Sequence, residues 1–349
     1  MTSSQSDRTA SPDGGSKFPP SAGRGFEDAA EPFRRQIKAY CYRMMGSLHE
    51  AEDLTQETFL KAWRAFDSFQ GRGSLKAWLY QIATRVCLDA LKQRKHVRRM
   101  LPEAQSLPAA ALPRGQPSLD EMWLEPYPDS ELDDVSAEAA GPEIRYERYE
   151  SVRLAFIAAI QYLPPRQRAI LLLIDVLGWS PGETATLIGG SIASINSALQ
   201  RARATLTRHY PEGGPDRHQD FAGDQSALLD RYVQAWEAKD LDGFVALLKE
   251  DASYAMPPYK QWYQGRIAIQ RFLAAVWGQY GRFRLLRTAA NGQPAFVLYT
   301  QNGTDGTWAP HSIHLLTLSA GGIAKLTLFM KPMGPRLAQA FGFPATPPA

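Results

Sequence analysis

The stretch Ser180-Pro-Gly-Glu-Thr-Ala-Thr-Leu-Ile-Gly-Gly-Ser-Ile-Ala-Ser-Ile-Asn-Ser-Ala-Leu-Gln-Arg-Ala-Arg203 decides how the rest of the chain is read. Ser180 and Glu183 have the spacing of a capping box, and Pro181 sits where a first helical residue tolerates proline. Gly189-Gly190 ends that short helix, and Ser191 is placed to cap the next. Ala185 is small where two crossing helices approach, and Leu187, Ile188, Ile195 and Leu199 suit a buried junction. The second helix then presents Ser191, Ser194, Asn196, Ser197, Gln200, Arg201 and Arg203, all able to hydrogen-bond phosphates or base edges. The pattern is that of a helix-turn-helix.

Outward from this motif, charge divides the chain into parts. The net charge of the 349 residues is only +3. Residues 31–100 nevertheless carry 14 Lys/Arg against 7 Asp/Glu, and residues 145–210 carry 8 against 4. Residues 101–144 carry 1 against 10. Two basic modules joined by an acidic connector fit a protein that touches nucleic acid at two places. The length suggests two or three domains.

Cys41 and Cys87 are the only cysteines, which argues against a disulfide framework or a four-ligand zinc site. No apolar run approaches the roughly 20 residues needed to span a bilayer. The start of the chain is rich in Ser, Pro, Gly and Asp and lacks a secretory apolar segment. A cytoplasmic protein with a disordered stretch over residues 1–30 is expected.

Residues 31–98 have a helical period, with Ala51, Leu54, Thr58, Ala62 and Phe66 on one face of the segment Glu50 to Phe66. A second face collects Asp53, Gln56, Glu57, Leu60, Lys61 and Arg64. Two glycines interrupt the helix before Ser74. Leu75, Trp78, Leu79, Ile82, Ala83, Val86 and Ala90 then form an apolar stripe, with Lys76, Tyr80 and Arg85 off it. Trp78 suits either the core or a stacked base. Residues 99–144 form an acidic, proline-rich linker, in which Trp123-Leu-Glu-Pro-Tyr-Pro-Asp129 is aromatic enough to anchor against a neighbouring domain. Residues 145–210 return to helix and end in the helix-turn-helix. After a polar hinge at 211–224, residues 225–345 show helical patterns (Leu228–Leu248, Ile267–Tyr280) and then strand-like runs at Phe283–Thr288, Ala295–Gln301, Ser312–Leu318 and Ile323–Lys331. Helices followed by strands predict a separate α+β domain.

With these blocks in view, the chain resembles a bacterial sigma-70 family RNA polymerase sigma factor of the extracytoplasmic-function (ECF) group, extended by a SnoaL-like domain. Asp53-Leu-Thr-Gln-Glu-Thr-Phe-Leu-Lys-Ala-Trp63 is similar to the polymerase-docking helix of that family. Phe69-Gln-Gly-Arg-Gly-Ser-Leu-Lys-Ala-Trp-Leu-Tyr-Gln-Ile-Ala83 resembles its −10 recognition region, and residues 163–206 its −35 recognition region. The implied fold is multidomain, with two all-α sigma modules and an α+β SnoaL-like cone domain. The implied partners are promoter DNA and the RNA polymerase core, through the clamp helices of its largest subunit.

By the same resemblance, Asp53, Gln56, Glu57 and Lys61 grip the core, while Gln70, Arg72, Lys76, Tyr80 and Arg85 handle the −10 element. Strand opening needs a pocket for an unstacked base. Ser191, Ser194, Asn196, Ser197, Gln200, Arg201 and Arg203 face the −35 element. Many members carry Lys and Arg in the middle of this helix, where this chain has Asn196 and Ala198. Phosphate anchoring is therefore expected from Arg201, Arg203 and the helix N-terminus, and base reading from Asn196 and Gln200.

The C-terminal domain carries a candidate pocket of Trp236, Tyr254, Met256, Trp262 and Trp277, residues that equally suit a core. Related folds include small enzymes with a carboxylate or histidine base. His311 and His314, three apart, are expected on opposite sides of one strand. No catalytic residue, metal or cofactor is expected. Regulation of the sigma modules by the appended domain is the leading reading, with Phe329-Met-Lys-Pro-Met-Gly-Pro-Arg336 either its contact or a mere cap. A bifunctional protein that binds or isomerises a small apolar ligand is the alternative. A DNA-binding regulator that never joins polymerase has no use for the Asp53 helix. Nothing in the sequence calls for a separate anti-sigma factor.

Overall fold

The computed structural model describes residues 20–348, apart from 70–73, 95–97, 111–116, 121, 133–150, 152, 211–224 and 302–305. The N-terminal module contains α1 (Pro20–Ala30), α2 (Arg34–Met45), α3 (Leu48–Ala65) and α4 (Leu75–Gln93). Helix α1 lies within the stretch expected to be disordered. Its Phe26 is buried, edge-on to Phe59 and Phe66, and that contact supplies the order that composition does not suggest. Ser47 and Ser74 cap α3 and α4, their hydroxyls accepting from the amides of Glu50 and Ala77. Gly46, at φ 68°, turns the chain between α2 and α3. A Cβ there would meet Leu124 Cδ2 at 2.6 Å, so the linker packs directly on this corner.

The second module contains α5 (Leu154–Ile160), α6 (Pro165–Leu171), which runs into a π-turn at Leu172–Val176, α7 (Pro181–Ile188) and α8 (Ile192–His209). Ser180 and Glu183 form the capping box on α7. Ala185, Leu187, Ile195 and Leu199 are buried at the α7–α8 junction, as their spacing predicts. The two modules pack together. The buried Arg168 of α6 donates to Met44 O at the end of α2, to Gln161 Oε1 (2.6 Å) and to Gln161 O (3.1 Å). Burial lowers its pKa to about 9, and these acceptors hold the charge in place. Tyr80 of α4 meets Trp179 edge-to-face, with ring centroids 5.7 Å apart.

The C-terminal domain runs α9 (Gln225–Ala238), α10 (Leu241–Ala246), β1 (Leu248–Ala255), β2 (Trp262–Gln264), α11 (Arg266–Val276), β3 (Phe283–Ala290), β4 (Gln293–Gln301), β5 (Trp308–Ser319), β6 (Gly322–Phe329) and α12 (Met333–Ala340). The six strands form one sheet in the order β2-β1-β6-β5-β4-β3, antiparallel except for the β1–β6 pair. The last four strands fall on the four strand-like runs. Strands β1 and β2 were not anticipated, because Leu247 and Leu248 also fit the preceding helical pattern.

The sheet has two apolar faces. Phe296, Leu298, Leu316, Leu326 and Leu328 belong to the core under the helices of this domain. Val297, Tyr299, Ile313, Leu315 and Phe329 join the core that includes the sigma-like modules and α12. The linker runs between the domains. Tyr127 exchanges two 2.9 Å hydrogen bonds with Asn291, from Tyr127 N to Asn291 Oδ1 and from Asn291 N to Tyr127 O. Ala109 N donates to Trp262 O at 2.7 Å, and Glu103 pairs with Lys325 at 3.0 Å. The aromatic linker segment is thus a buried anchor: Trp123, Leu124 and Tyr127 are all buried.

Candidate promoter, polymerase and ligand surfaces

On α3 the period that buries Ala51, Leu54, Thr55, Thr58 and Ala62 leaves Asp53, Gln56, Glu57, Leu60 and Lys61 on the opposite, exposed face. Lys61 pairs with Glu57 at 2.7 Å, and Gln56 Nε2 donates to Glu52 Oε1 at 3.3 Å. Carboxylates, amides and one exposed leucine on a rigid helix make a surface suited to a basic, polar partner.

The expected −10 residues separate. Gln70 and Arg72 lie outside the described residues. Lys76 and Arg85 are exposed on α4. Tyr80 is not on that surface: it is 1% exposed and packed between Tyr40 and Trp179. Trp78 is half-buried against Phe69, ring centroids 5.0 Å apart. A cleft of about 680 Å³ separates the α4 N-terminus from the helix-turn-helix, lined by Phe69, Lys76, Trp78, Gln81, Trp179 and Thr186 among others.

The expected −35 residues also separate. Ser191 Oγ accepts from Ser194 N at 3.1 Å, and Ser194 Oγ donates to Ser191 O at 2.8 Å, so both hydroxyls serve the helix cap. Arg203 makes a two-pronged contact with Asp175, at 3.0 and 2.7 Å, which raises its pKa through that hydrogen bond. Asn196, Ser197, Gln200 and Arg201 are exposed, and no hydrogen bond or ion pair engages their side chains among the described residues. Sequence reading missed Arg166, which donates to Ile188 O and Gly189 O and closes the end of α7. Its only signal was a basic residue one helix away from the motif.

In the C-terminal domain a cavity of about 310 Å³ opens between the sheet and α11. Trp236, Tyr254, Met256 and Trp277 line it; Trp262 does not. Trp262 sits in β2 and donates its indole N–H to Ser106 O of the linker at 2.9 Å. His311 and His314, expected on opposite sides of the strand, both line the cavity. The reason is a bulge: Leu298 pairs with Ser312 but Tyr299 with Pro310, which leaves His311 as an extra residue in β5. Ser312 Oγ lies 3.3 Å from His311 Nδ1 and 2.9 Å from His314 Nε2, and His314 Nδ1 lies 2.8 Å from Tyr232 Oη. Burial lowers the two pKa values to about 4 and about 3, so both rings are neutral at pH 7. Among the described residues no Asp, Glu, Lys or Arg lines the cavity. Among the described residues no group of three or more His, Cys, Asp or Glu is placed to hold a metal ion, and no helix is long and apolar enough to cross a membrane.

Comparison with known proteins matches this geometry piece by piece. Residues 30–97 match the sigma-70 region 2 family, residues 153–206 sigma-70 region 4, and residues 229–326 the SnoaL-like domain. The ECF RNA polymerase sigma factor SigG of Mycobacterium tuberculosis (strain H37Rv) is 43% identical over 309 residues, 87% of this chain and 81% of that protein. The chain belongs to the ECF RNA polymerase sigma factors. Promoter recognition and transcription initiation are its function, and it is not an enzyme. SigJ from the same bacterium is 26% identical over 260 residues, 72% of this sigma factor and 73% of SigJ. The crystal structure of SigJ shares the fold, with a TM-score of 0.53 at 23% identity, covering 90% of this sigma factor and 98% of the SigJ chain.

Proposed function

We propose that α3 docks this sigma factor on the clamp helices of the polymerase core through Asp53, Gln56, Glu57 and Lys61. Gln70, Arg72, Lys76 and Arg85 then engage the −10 element. Helix α8 reads the −35 element, with Asn196 and Gln200 on base edges and Arg201 on phosphate. Ser191 and Ser194 act at −35 by holding the N-terminus of α8 rather than by touching bases. A factor working on polymerase acts in the cytoplasm. The observation that carries this assignment is the exposed, uncommitted polar face of Asn196, Ser197, Gln200 and Arg201 on α8.

The SnoaL-like domain regulates this activity. The −35 and −10 elements are centred about 25 steps apart, roughly 85 Å of B-DNA at about 3.4 Å per step. Modules in direct contact at Tyr80 and Trp179 do not span that distance, so initiation requires them to part. The linker that must be released is held on one side by Gly46 and Tyr42 and on the other by Asn291 and Trp262. The closed arrangement is therefore a resting state favoured by the C-terminal domain. Run-off transcription with core polymerase on a cognate promoter tests this: loosening the linker contact should raise output. Unchanged output from a loosened variant that still binds core would remove support for the regulatory role.

A further inference from the structure

We infer that the cavity of the C-terminal domain is a receptor site for an uncharged, planar aromatic molecule carrying a carbonyl or similar acceptor oxygen. The hydrogen-bond chain at its polar end has one consistent direction. The Tyr232 hydroxyl is fully buried, and its proton needs an acceptor. His314 Nδ1, 2.8 Å away, is the acceptor at hand. His314 then carries its proton on Nε2 and donates it to Ser312 Oγ. The Ser312 proton in turn goes to His311 Nδ1. His311 is left with its proton on Nε2, as a donor with no protein acceptor among the described residues.

A second donor points to the same class of ligand. Trp277 lines the cavity and is 6% exposed, and its indole Nε1 is buried without a hydrogen-bond partner. Unpartnered buried donors are uncommon and call for an explanation. A ligand oxygen supplies one. The remaining wall is aromatic and aliphatic, including Phe272, Phe283, Leu298 and Leu328. With no charged side chain lining it among the described residues, the site disfavours a buried ionic group. Its volume of about 310 Å³ lies at the small end of ligand pockets, roughly 300–1,000 Å³, and suits a molecule of two fused rings.

Binding also has a route outward. Helix α12 lies on the back of the same bulge: a Cβ on Gly334 would meet His311 O at 2.5 Å and Ser312 Cα at 2.6 Å. A ligand that engages His311 therefore acts on the segment of β5 on which α12 rests.

The test is equilibrium dialysis of the full chain against three probes: 2-acetonaphthone, naphthalene and 2-naphthoate. The ketone should bind about tenfold or more tighter than naphthalene, which lacks the acceptor, and than the charged carboxylate. In the double variant His311→Leu/Trp277→Phe the preference for ketone over naphthalene should fall to within about threefold. Retained naphthalene binding by that variant shows that the cavity still folds. Equal binding of ketone and naphthalene to the natural chain, a preference that survives the double variant, tightest binding of the naphthoate, or no binding of any probe would each overturn the inference.

Discussion

Asn291 donates from Nδ2 to the Tyr42 hydroxyl at 2.8 Å, a contact that joins residues 249 positions apart and ties a turn of the C-terminal sheet to α2. The same side chain accepts from Tyr127 N through Oδ1, so one residue holds the linker and the N-terminal module together. Its backbone is left-handed, at φ 54°, a conformation that asparagine tolerates better than most residues.

Asn291→Gly keeps the backbone conformation and removes both side-chain contacts. The interface should weaken by about 1–3 kcal/mol, because Tyr127 N and Tyr42 Oη lose buried partners. Run-off transcription should rise severalfold while core binding stays the same. A variant with natural output would mean that this contact does not restrain the linker.

Asp53 and Gln56 lie on the face of α3 opposite its buried residues, so Asp53→Ala/Gln56→Ala should leave the fold within about 0.5 kcal/mol of the natural protein. Core association in a pull-down should nevertheless drop, with helix content by circular dichroism unchanged. Undiminished association would sink the docking assignment.

On α8, Arg201→Ala should weaken −35 binding on every sequence and flatten its salt dependence. Asn196→Ala should instead relax preference at one base position, by about 1–3 kcal/mol if the contact is bidentate. Arg203 is held by Asp175, so Arg203→Ala should cost less than Arg201→Ala. Equal losses for the two arginine variants in a binding titration at fixed salt would show that Asp175 releases Arg203 to the DNA.

The helix-turn-helix was legible because its determinants are local: a capping box four residues long, two glycines and a small residue at the crossing. The linker anchor was legible as a kind of segment, from its aromatic content, but not in its partner. Asn291 lies 164 positions from Tyr127, and nothing in either neighbourhood announces the other. Arg203 looked available because Asp175 sits 28 residues away, within a π-turn. Tyr80 looked exposed because its place off the apolar stripe of α4 says nothing about a second module packed on that side. The histidines were misplaced for a sharper reason. Strict alternation puts residues three apart on opposite faces, and only the register against β4 reveals the extra residue.

That register shift gives the cavity a pH signature. His311 and His314 have folded pKa values of about 4 and about 3, below the ordinary value of 6.5. Desolvation by burial is the first cause for both, followed by the Lys331 charge for His311 and by His311 for His314. Between those folded values and 6.5 the unfolded chain binds more protons than the folded one, so stability rises with pH in this window. The contribution is complete above about pH 6.5 and is lost as the pH falls from there toward 4. Each histidine supplies a slope of at most about 1.4 kcal/mol per pH unit. The thermal midpoint of the C-terminal domain should therefore fall markedly between pH 7 and pH 5. The double variant His311→Gln/His314→Gln, neutral at every pH, should be less stable at pH 7 but show a flatter dependence across this window. If it instead keeps the natural slope, the proton uptake belongs to other groups, and the buried, neutral hydrogen-bond chain from Tyr232 to His311 is not what sets the pH response.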